Sequence, residues 1–359
     1  MLFPLDLEYE EWKSLCRERW NEPAFRADQF CSWFYKQRVF SFEDMTNLSK
    51  DLRGKAAEAF GPAVPESVRV EVSRKDGTEK TLWRLHDGHT VESVLLLQEG
   101  RRTACISTQV GCPLSCSFCA TGQSGFVRDL SCGEIVGQFL AMEKAQGNPI
   151  DNLVFMGMGE PFLNLESFLK AVRILKHPKM RGLGSRRMMV STAGIVPGIR
   201  ILADSNLGIR LAVSIHAPDD SLRESLMPVN RRYPLSELFS AIRYFQEKTG
   251  DRVSIEYMLI DGLNDTPRHA NALAERLKGL KSFVNLIPWN STCETFRKPS
   301  PGAVEKFRQA LVSRGIEAEV RRERGEDINA ACGQLRQKER RGSQEAPSAH
   351  EIQKKGKGN

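Results

Sequence analysis

The 359-residue chain has no apolar run approaching the ~18 residues that a membrane-spanning helix needs, so no segment is expected to cross a bilayer. Its first residues, MLFPLDLEYEEWK, are acidic where a secretory leader would carry Lys or Arg ahead of an apolar stretch. Both absences point to a cytoplasmic protein. Nine cysteines in a reducing compartment are not a disulfide framework, so some of them are expected to bind metal or react. Charge of a single sign is lacking too. The chain sets 52 Lys and Arg against 45 Asp and Glu, which argues for a globular fold over most of its length. The excess of +7 suits a polyanionic partner without requiring one.

With 40% hydrophobic residues, the chain is long enough for one large domain and a small appendage. Residues 1–62 read as a helical accessory domain. Trp12, Leu15, Phe25, Phe30, Trp33 and Phe34 fall at periodic apolar positions, Arg26, Lys36 and Arg38 lie between them, and Gly61-Pro62 ends the region. Residues 63–100 read as a β extension, with Val68, Val70 and Val72 alternating, a turn at Asp76-Gly77, and an apolar run from Val91 to Leu97. Over 101–335 strands alternate with helices. The strand candidates are 103–110, 152–157, 187–192, 209–215, 252–259 and 283–287. Ser131 with Glu134, Thr266-Pro267 and Ser300-Pro301 are start signals for three of the helices. This alternation predicts an α/β fold, a parallel sheet with outer helices. Six units make a partial (β/α)6 barrel with its site at the C-terminal ends of the strands. Residues 336–359 have almost nothing to bury and are expected to be disordered.

The segment Gly111-Cys-Pro-Leu-Ser-Cys-Ser-Phe-Cys119 follows the first of those strands. Cys112, Cys116 and Cys119, spaced C-x3-C-x2-C, can hold three irons of a [4Fe–4S] cubane and leave the fourth without a protein ligand. S-adenosylmethionine (SAM) can take that position through its amino and carboxylate groups, and an electron from the cluster then breaks its sulfonium bond. A structural zinc site would need a fourth ligand, and no His or Cys follows at the expected distance.

Polar or glycine-rich strand ends are expected to converge on the same place. In Phe155-Met-Gly-Met-Gly-Glu-Pro161, Gly159 lets the backbone approach a ligand and Glu160 can accept from the SAM amino group. Ser191-Thr-Ala-Gly194, Ser214-Ile215-His216 and Asn290 stand at three further strand ends. Any one of them alone would be an ordinary loop or a satisfied core histidine. Four strand ends together make a pocket.

With Asn285-Leu-Ile-Pro-Trp-Asn290 and Ala330-Ala-Cys-Gly-Gln-Leu335 added, the chain resembles the RlmN family over roughly residues 10–335. The resemblance implies a radical SAM barrel and a methyltransferase acting on carbon 2 of adenosine 2503 in 23S rRNA and of adenosine 37 in tRNA. It also implies one cluster per chain, two SAM molecules per turnover, a reductase such as flavodoxin, and action as a monomer. Carbon 2 of adenine is electron-poor and has no lone pair with which to attack a methyl group, so a radical must be delivered to it.

By the same resemblance Cys332 carries the methyl group, Cys105 resolves it through a transient disulfide, and Glu92 takes the adenine proton. Small neighbours, Ala330, Ala331 and Gly333, suit a mobile loop around Cys332. On a strand over 103–110, Cys105 would share a face with Ser107 and Gln109 and turn that polar face to the cavity. Glu92 alone would pass for a solvated strand acid. Cys16, Cys31, Cys132 and Cys293 are read as structural, and the pairs Arg186-Arg187, Arg231-Arg232 and Arg321-Arg322 as candidates for RNA phosphates. Two alternatives stay open. One is carbon-8 methylation, as in the sister Cfr family; the other is a non-catalytic iron–sulfur RNA-binding regulator, which would have no use for Cys105 and Cys332.

Overall fold

The computed structural model describes residues 2–98, 100–290, 295–322 and 324–328. The N-terminal segment folds into short helices, Tyr9–Ser14 (α1), Arg26–Cys31 (α2) and Lys50–Ala59 (α3). Individually they are too short to be stable in water, so packing must hold them. An aromatic cluster supplies it: Trp12 is fully buried and stacks on Phe30 with 4.8 Å between ring centres, and Phe34 and Phe60 close around them.

The chain then forms Glu66–Val72 (β1), Glu79–Arg84 (β2), Thr90–Gln98 (β3), Arg101–Cys105 (β4) and Gln109–Gly111 (β5). Next come Ala120–Gln123 (α4), Phe126–Asp129 (β6), Cys132–Gln146 (α5) and Asn152–Phe155 (β7). Leu165–Lys176 (α6), Met188–Thr192 (β8), Val196–Asp204 (α7) and Arg210–Ser214 (β9) follow. Asp220–Leu226 (α8), Leu235–Thr249 (α9), Val253–Leu259 (β10) and Pro267–Leu277 (α10) lead to Ser282–Pro288 (β11), Pro301–Val312 (α11) and Ala318–Val320 (β12).

Ten strands form one sheet in the order β1-β2-β3-β4-β7-β8-β9-β10-β11-β12, while β5 and β6 pair separately. From β4 onward the ladders are parallel, as the strand–helix alternation predicted. The β extension is continuous with this sheet: β1 to β4 run antiparallel, and Val94 of β3 stands opposite Cys105 of β4. The extension thereby pairs the outer edge of β4, which would otherwise present open backbone groups. All three helix-start signals hold, with Ser131, Thr266 and Ser300 each accepting a hydrogen bond from a first-turn amide.

The two faces of the sheet differ. On the outer one Trp83, Val91, Leu95, Ala104, Leu153 and Phe155 belong to the main hydrophobic cluster beneath the helices. On the inner one, register sets Lys80 and Leu82 of β2, Glu92 and Val94 of β3, and Cys105 of β4 side by side.

The expected strand over 103–110 is two strands. Beyond Cys105 the backbone leaves the ladder to bind the turn after β7: Gly157 donates to the Ile106 carbonyl at 3.0 Å, and Thr108 to that of Met158 at 2.9 Å. Ser107 and Gln109 therefore do not continue the Cys105 face. Their side chains accept from the backbone amides of Met158 and Glu160, both at 2.8 Å.

Candidate active site

The three thiols of the cysteine loop come from between β5 and α4. Gly111, with φ of +78°, turns the chain so closely against the β6 side that an added Cβ would lie 1.9 Å from the Gly125 carbonyl oxygen. Cys112 then donates its amide to that same oxygen at 3.0 Å. Cys119 donates its amide to the Cys116 carbonyl, and Ser117 donates both amide and hydroxyl to Leu226 at the end of α8. Burial pushes the Cys112 thiol up to about 12 and the Cys116 thiol higher still, and the thiols raise one another.

Among the described residues no three His, Cys, Asp or Glu side chains are placed to hold a single metal ion. That is compatible with a cubane, in which each cysteine serves a different iron. Three soft sulfur donors gathered on one half-buried loop fit such a group, since iron replaces the thiol protons that burial retains.

Glu160 is buried at the end of the glycine turn. Its carboxylate accepts from the amides of Ala193 at 2.6 Å and Phe162 at 3.1 Å, and from the Thr192 hydroxyl. Burial outweighs these bonds and pushes its pKa up to about 7. Gly159 (φ +97°) lies so near Gln109 that a Cβ would come within 2.5 Å of its side chain. Ser191 and Ser214 sit half-buried on the inner face at the ends of β8 and β9, and Asn290 is exposed just past β11.

His216 is buried in the left-handed region at φ +58°. Its Nδ1 accepts from the Met258 amide at 2.9 Å, and burial with the nearby Arg223 charge lowers its pKa to about 3, so it is neutral. The Ile215 side chain belongs to the core, while its amide and carbonyl are taken by Glu256 and Arg223.

Glu92 is not a solvated strand acid. It is buried, and the ammonium of Lys80, itself with no exposed surface, lies 3.6 Å from its Oε2. Cys105 shares this face on the neighbouring strand. Lys80 is one of the residues that sequence reasoning missed; the alternation of β2 could have found it, two residues from inward Leu82. Farther along the same face Glu256, buried on β10, accepts from Ser254 at 2.7 Å and Asn285 at 2.6 Å.

Cys16, Cys31 and Cys132 are buried apart from the loop, while Cys293 and Cys332 lie outside the described residues. All three arginine pairs are exposed, but Arg186 and Arg187 precede β8 and so stand at the far end of the barrel from the strand C-termini. Chemistry, and not volume, identifies the site. A cleft of about 540 Å³ between the N-terminal segment and the barrel exterior is lined by Phe3, Val64, Arg84 and His86 and contains none of these thiols.

Residues 106–273 match the model of the Radical SAM superfamily, and residues 5–60 that of the ribosomal RNA large subunit methyltransferase N-terminal domain. A probable dual-specificity RNA methyltransferase RlmN of Thermotoga neapolitana is 52% identical over 93% of this chain and 97% of its own length. One from Petrotoga mobilis is 50% identical over 93% of this chain and 96% of its own length. The crystal structure of a radical SAM methyltransferase from Sphaerobacter thermophilus superposes with a TM-score of 0.89 at 44% identity, covering 93% of this chain and 99% of that one.

Proposed function

The chain belongs to the RlmN family of radical SAM dual-specificity RNA methyltransferases, and from that premise we propose that it methylates carbon 2 of adenosine 2503 in 23S rRNA and of adenosine 37 in tRNA. Membership implies SAM and a [4Fe–4S] cluster, which Cys112, Cys116 and Cys119 would hold. Bound there, they supply one-electron cleavage of SAM and hence a carbon-centred radical. Among the described residues no helix is long and apolar enough to cross a membrane.

The observation that carries the reading is the inner sheet face, where buried Glu92 and Cys105 lie on adjacent strands leading to the cysteine loop. Glu160 would receive the SAM ammonium, and Gly159, Ser191, Ser214, the backbone at Ile215 and His216, and Asn290 would line the rest of its site. Cys332 would present a methyl group, and the carbon-centred radical would remove one hydrogen atom from it. The methylene left on Cys332 would bond to carbon 2 of adenine, and the electron released as carbon 2 loses its proton would return to the oxidised cluster. Glu92 takes the proton that carbon 2 must lose. The Cys105 sulfur then attacks the Cys332 sulfur, and the bond from Cys332 to the bridging carbon breaks with its electron pair left on carbon. That carbon takes up a proton to become the product methyl, and the two thiols are left as a disulfide. An external reductant, of which flavodoxin is one kind, returns them to thiols and supplies the electron for SAM cleavage.

Residues 1–62 would grip folded RNA together with Arg231, Arg232, Arg321 and Arg322, while 63–100 complete the sheet and 101–335 form the catalytic core. Nucleoside mass spectrometry of rRNA and tRNA incubated with the reconstituted enzyme tests the reading. It should find 2-methyladenosine in both. Recovery of 8-methyladenosine would transfer the chain to the Cfr-like activity, and absence of any SAM cleavage would leave only an RNA-binding role.

A further inference from the structure

Arg223 has no exposed surface. Its Nε donates to the Ile215 carbonyl at 3.2 Å, and Nη1 donates to Asn230 Oδ1 at 2.8 Å and the Tyr233 carbonyl at 3.5 Å. Nη2 donates to the carbonyls of Ala193 at 2.6 Å and Ser214 at 3.2 Å. One guanidinium thus ties together the loops that follow β8 and β9. All five acceptors are neutral, and among the described residues no carboxylate lies within ion-pair distance of it. Asp220, one turn back on α8, is the nearby acid, and its Oδ1 is engaged by the Leu235 amide at 2.7 Å and the Asn230 amide group at 3.0 Å.

A fully buried charge with only neutral partners needs a counter-charge from somewhere. Burial lowers this guanidinium to about 10, so it remains charged at neutral pH. What lies beside it is the cysteine loop. Ser117, next to Cys116, is bonded to Leu226 three residues along the same helix, at 3.0 Å from the amide and 3.3 Å from the hydroxyl. Phe118 packs edge-on against His216 at 4.9 Å, directly after the Ile215 that Arg223 holds.

We propose that Arg223 is the buried counter-charge of the iron–sulfur cluster, a positioning residue that raises the cluster's reduction potential while it holds the two SAM-facing loops. The inference rests on the assignment of the cluster to Cys112, Cys116 and Cys119. Reduction adds one electron from an external donor to the cluster, and a fixed cation in a low-dielectric interior favours the more negative product. Neutral hydrogen-bond donors could hold the same carbonyls but would not supply the positive charge that favours the reduced cluster.

The test uses the reconstituted holoenzyme without RNA, poised with dithionite or a europium(II) chelate, and reads the reduced cluster by electron paramagnetic resonance. Arg223→Gln removes the charge and should lower the reduced fraction at fixed potential about tenfold, equivalent to about 59 mV for a one-electron couple. Arg223→Lys keeps the charge but loses the fork, so its melting temperature should fall while its potential stays near the parent's. Asp220→Asn leaves Arg223 in place, removes the nearby negative charge and should raise the potential. Should Arg223→Gln fail to fold, the upward shift in Asp220→Asn still decides. Equal potentials in the parent and Asp220→Asn, or a Lys variant as displaced as the Gln variant, overturn the proposal. A parent chain that retains no iron through the three cysteines overturns the site assignment instead.

Discussion

At the scale of single residues, burial sets the charge states that matter. Glu160 has its pKa raised from the ordinary 4.5 to about 7, so the ligand-free fold favours its neutral form. Its contribution to stability is full below 4.5 and is lost as pH rises through about 7. An ammonium bound at this carboxylate requires it ionised, so SAM affinity should fall up to tenfold per pH unit below 7 and level off above it. Calorimetric titration at pH 6, 7 and 8 measures this, with Glu160→Gln expected to bind weakly and without the pH dependence. A flat profile in the parent would remove Glu160 from the SAM site.

Cys105 carries the second prediction at this scale. On the proposed mechanism the Cys332–adenine bridge would form without it but would not be resolved, so Cys105→Ala should be recovered from cells with RNA covalently attached. Cys332→Ala should carry none, and the double variant should match it, because the two thiols act in sequence. If Cys105 were only a packed side chain, its loss would cost on the order of 1 kcal/mol and leave no adduct. Denaturing gels with RNase treatment distinguish the outcomes.

At the scale of elements, the break between β4 and β5 shapes the site. Segment 106–109 is committed to the turn at 157–160, which brings Glu160 beside the cysteine loop. Gly111 then makes the close approach to Gly125 that starts the loop. An alanine there meets both a left-handed φ and a backbone clash at 1.9 Å, and neither the hairpin nor the loop can keep its place. Gly111→Ala should therefore lose most of its iron on reconstitution while circular dichroism shows the barrel intact. Full iron content in that variant would mean that the loop tolerates displacement.

For the whole molecule, one buried acid joins three parts of the fold. Glu143 on α5 has no exposed side-chain surface and receives Arg38 of the N-terminal segment at 3.1 Å and Arg181 of the α6–β8 connection at 2.6 Å. It also accepts from the Ile150 amide at 2.8 Å. Removing it leaves two guanidinium groups without their acid, though both keep some contact with water. Glu143→Ala should destabilise the chain by about 3 kcal/mol, the lower end of the range for broken buried pairs, measured by denaturant unfolding. RNA affinity should fall more than RNA-independent SAM cleavage, because the loosened part is the proposed RNA grip. An equal loss in both would argue that the pair supports the barrel alone.

Much of this protein could be read from its sequence, because the relevant physics is local. The C-x3-C-x2-C spacing, the glycine turn ending in Glu160, the helix caps at Ser131, Thr266 and Ser300, and the strand–helix alternation each act within a few residues or repeat along the chain. The fold class and the cysteine loop follow from them. Tertiary structure decided what depends on distant partners. It ended β4 at Cys105 because the turn after β7 claims the next backbone groups, and it joined the β extension to the barrel edge. It also placed Glu92, which local sequence alone would leave as a solvated strand acid, in a buried position beside Lys80, and enclosed Arg223 among carbonyls of two loops. Desolvation depends on everything that surrounds a charge, and no stretch of sequence contains its own surroundings.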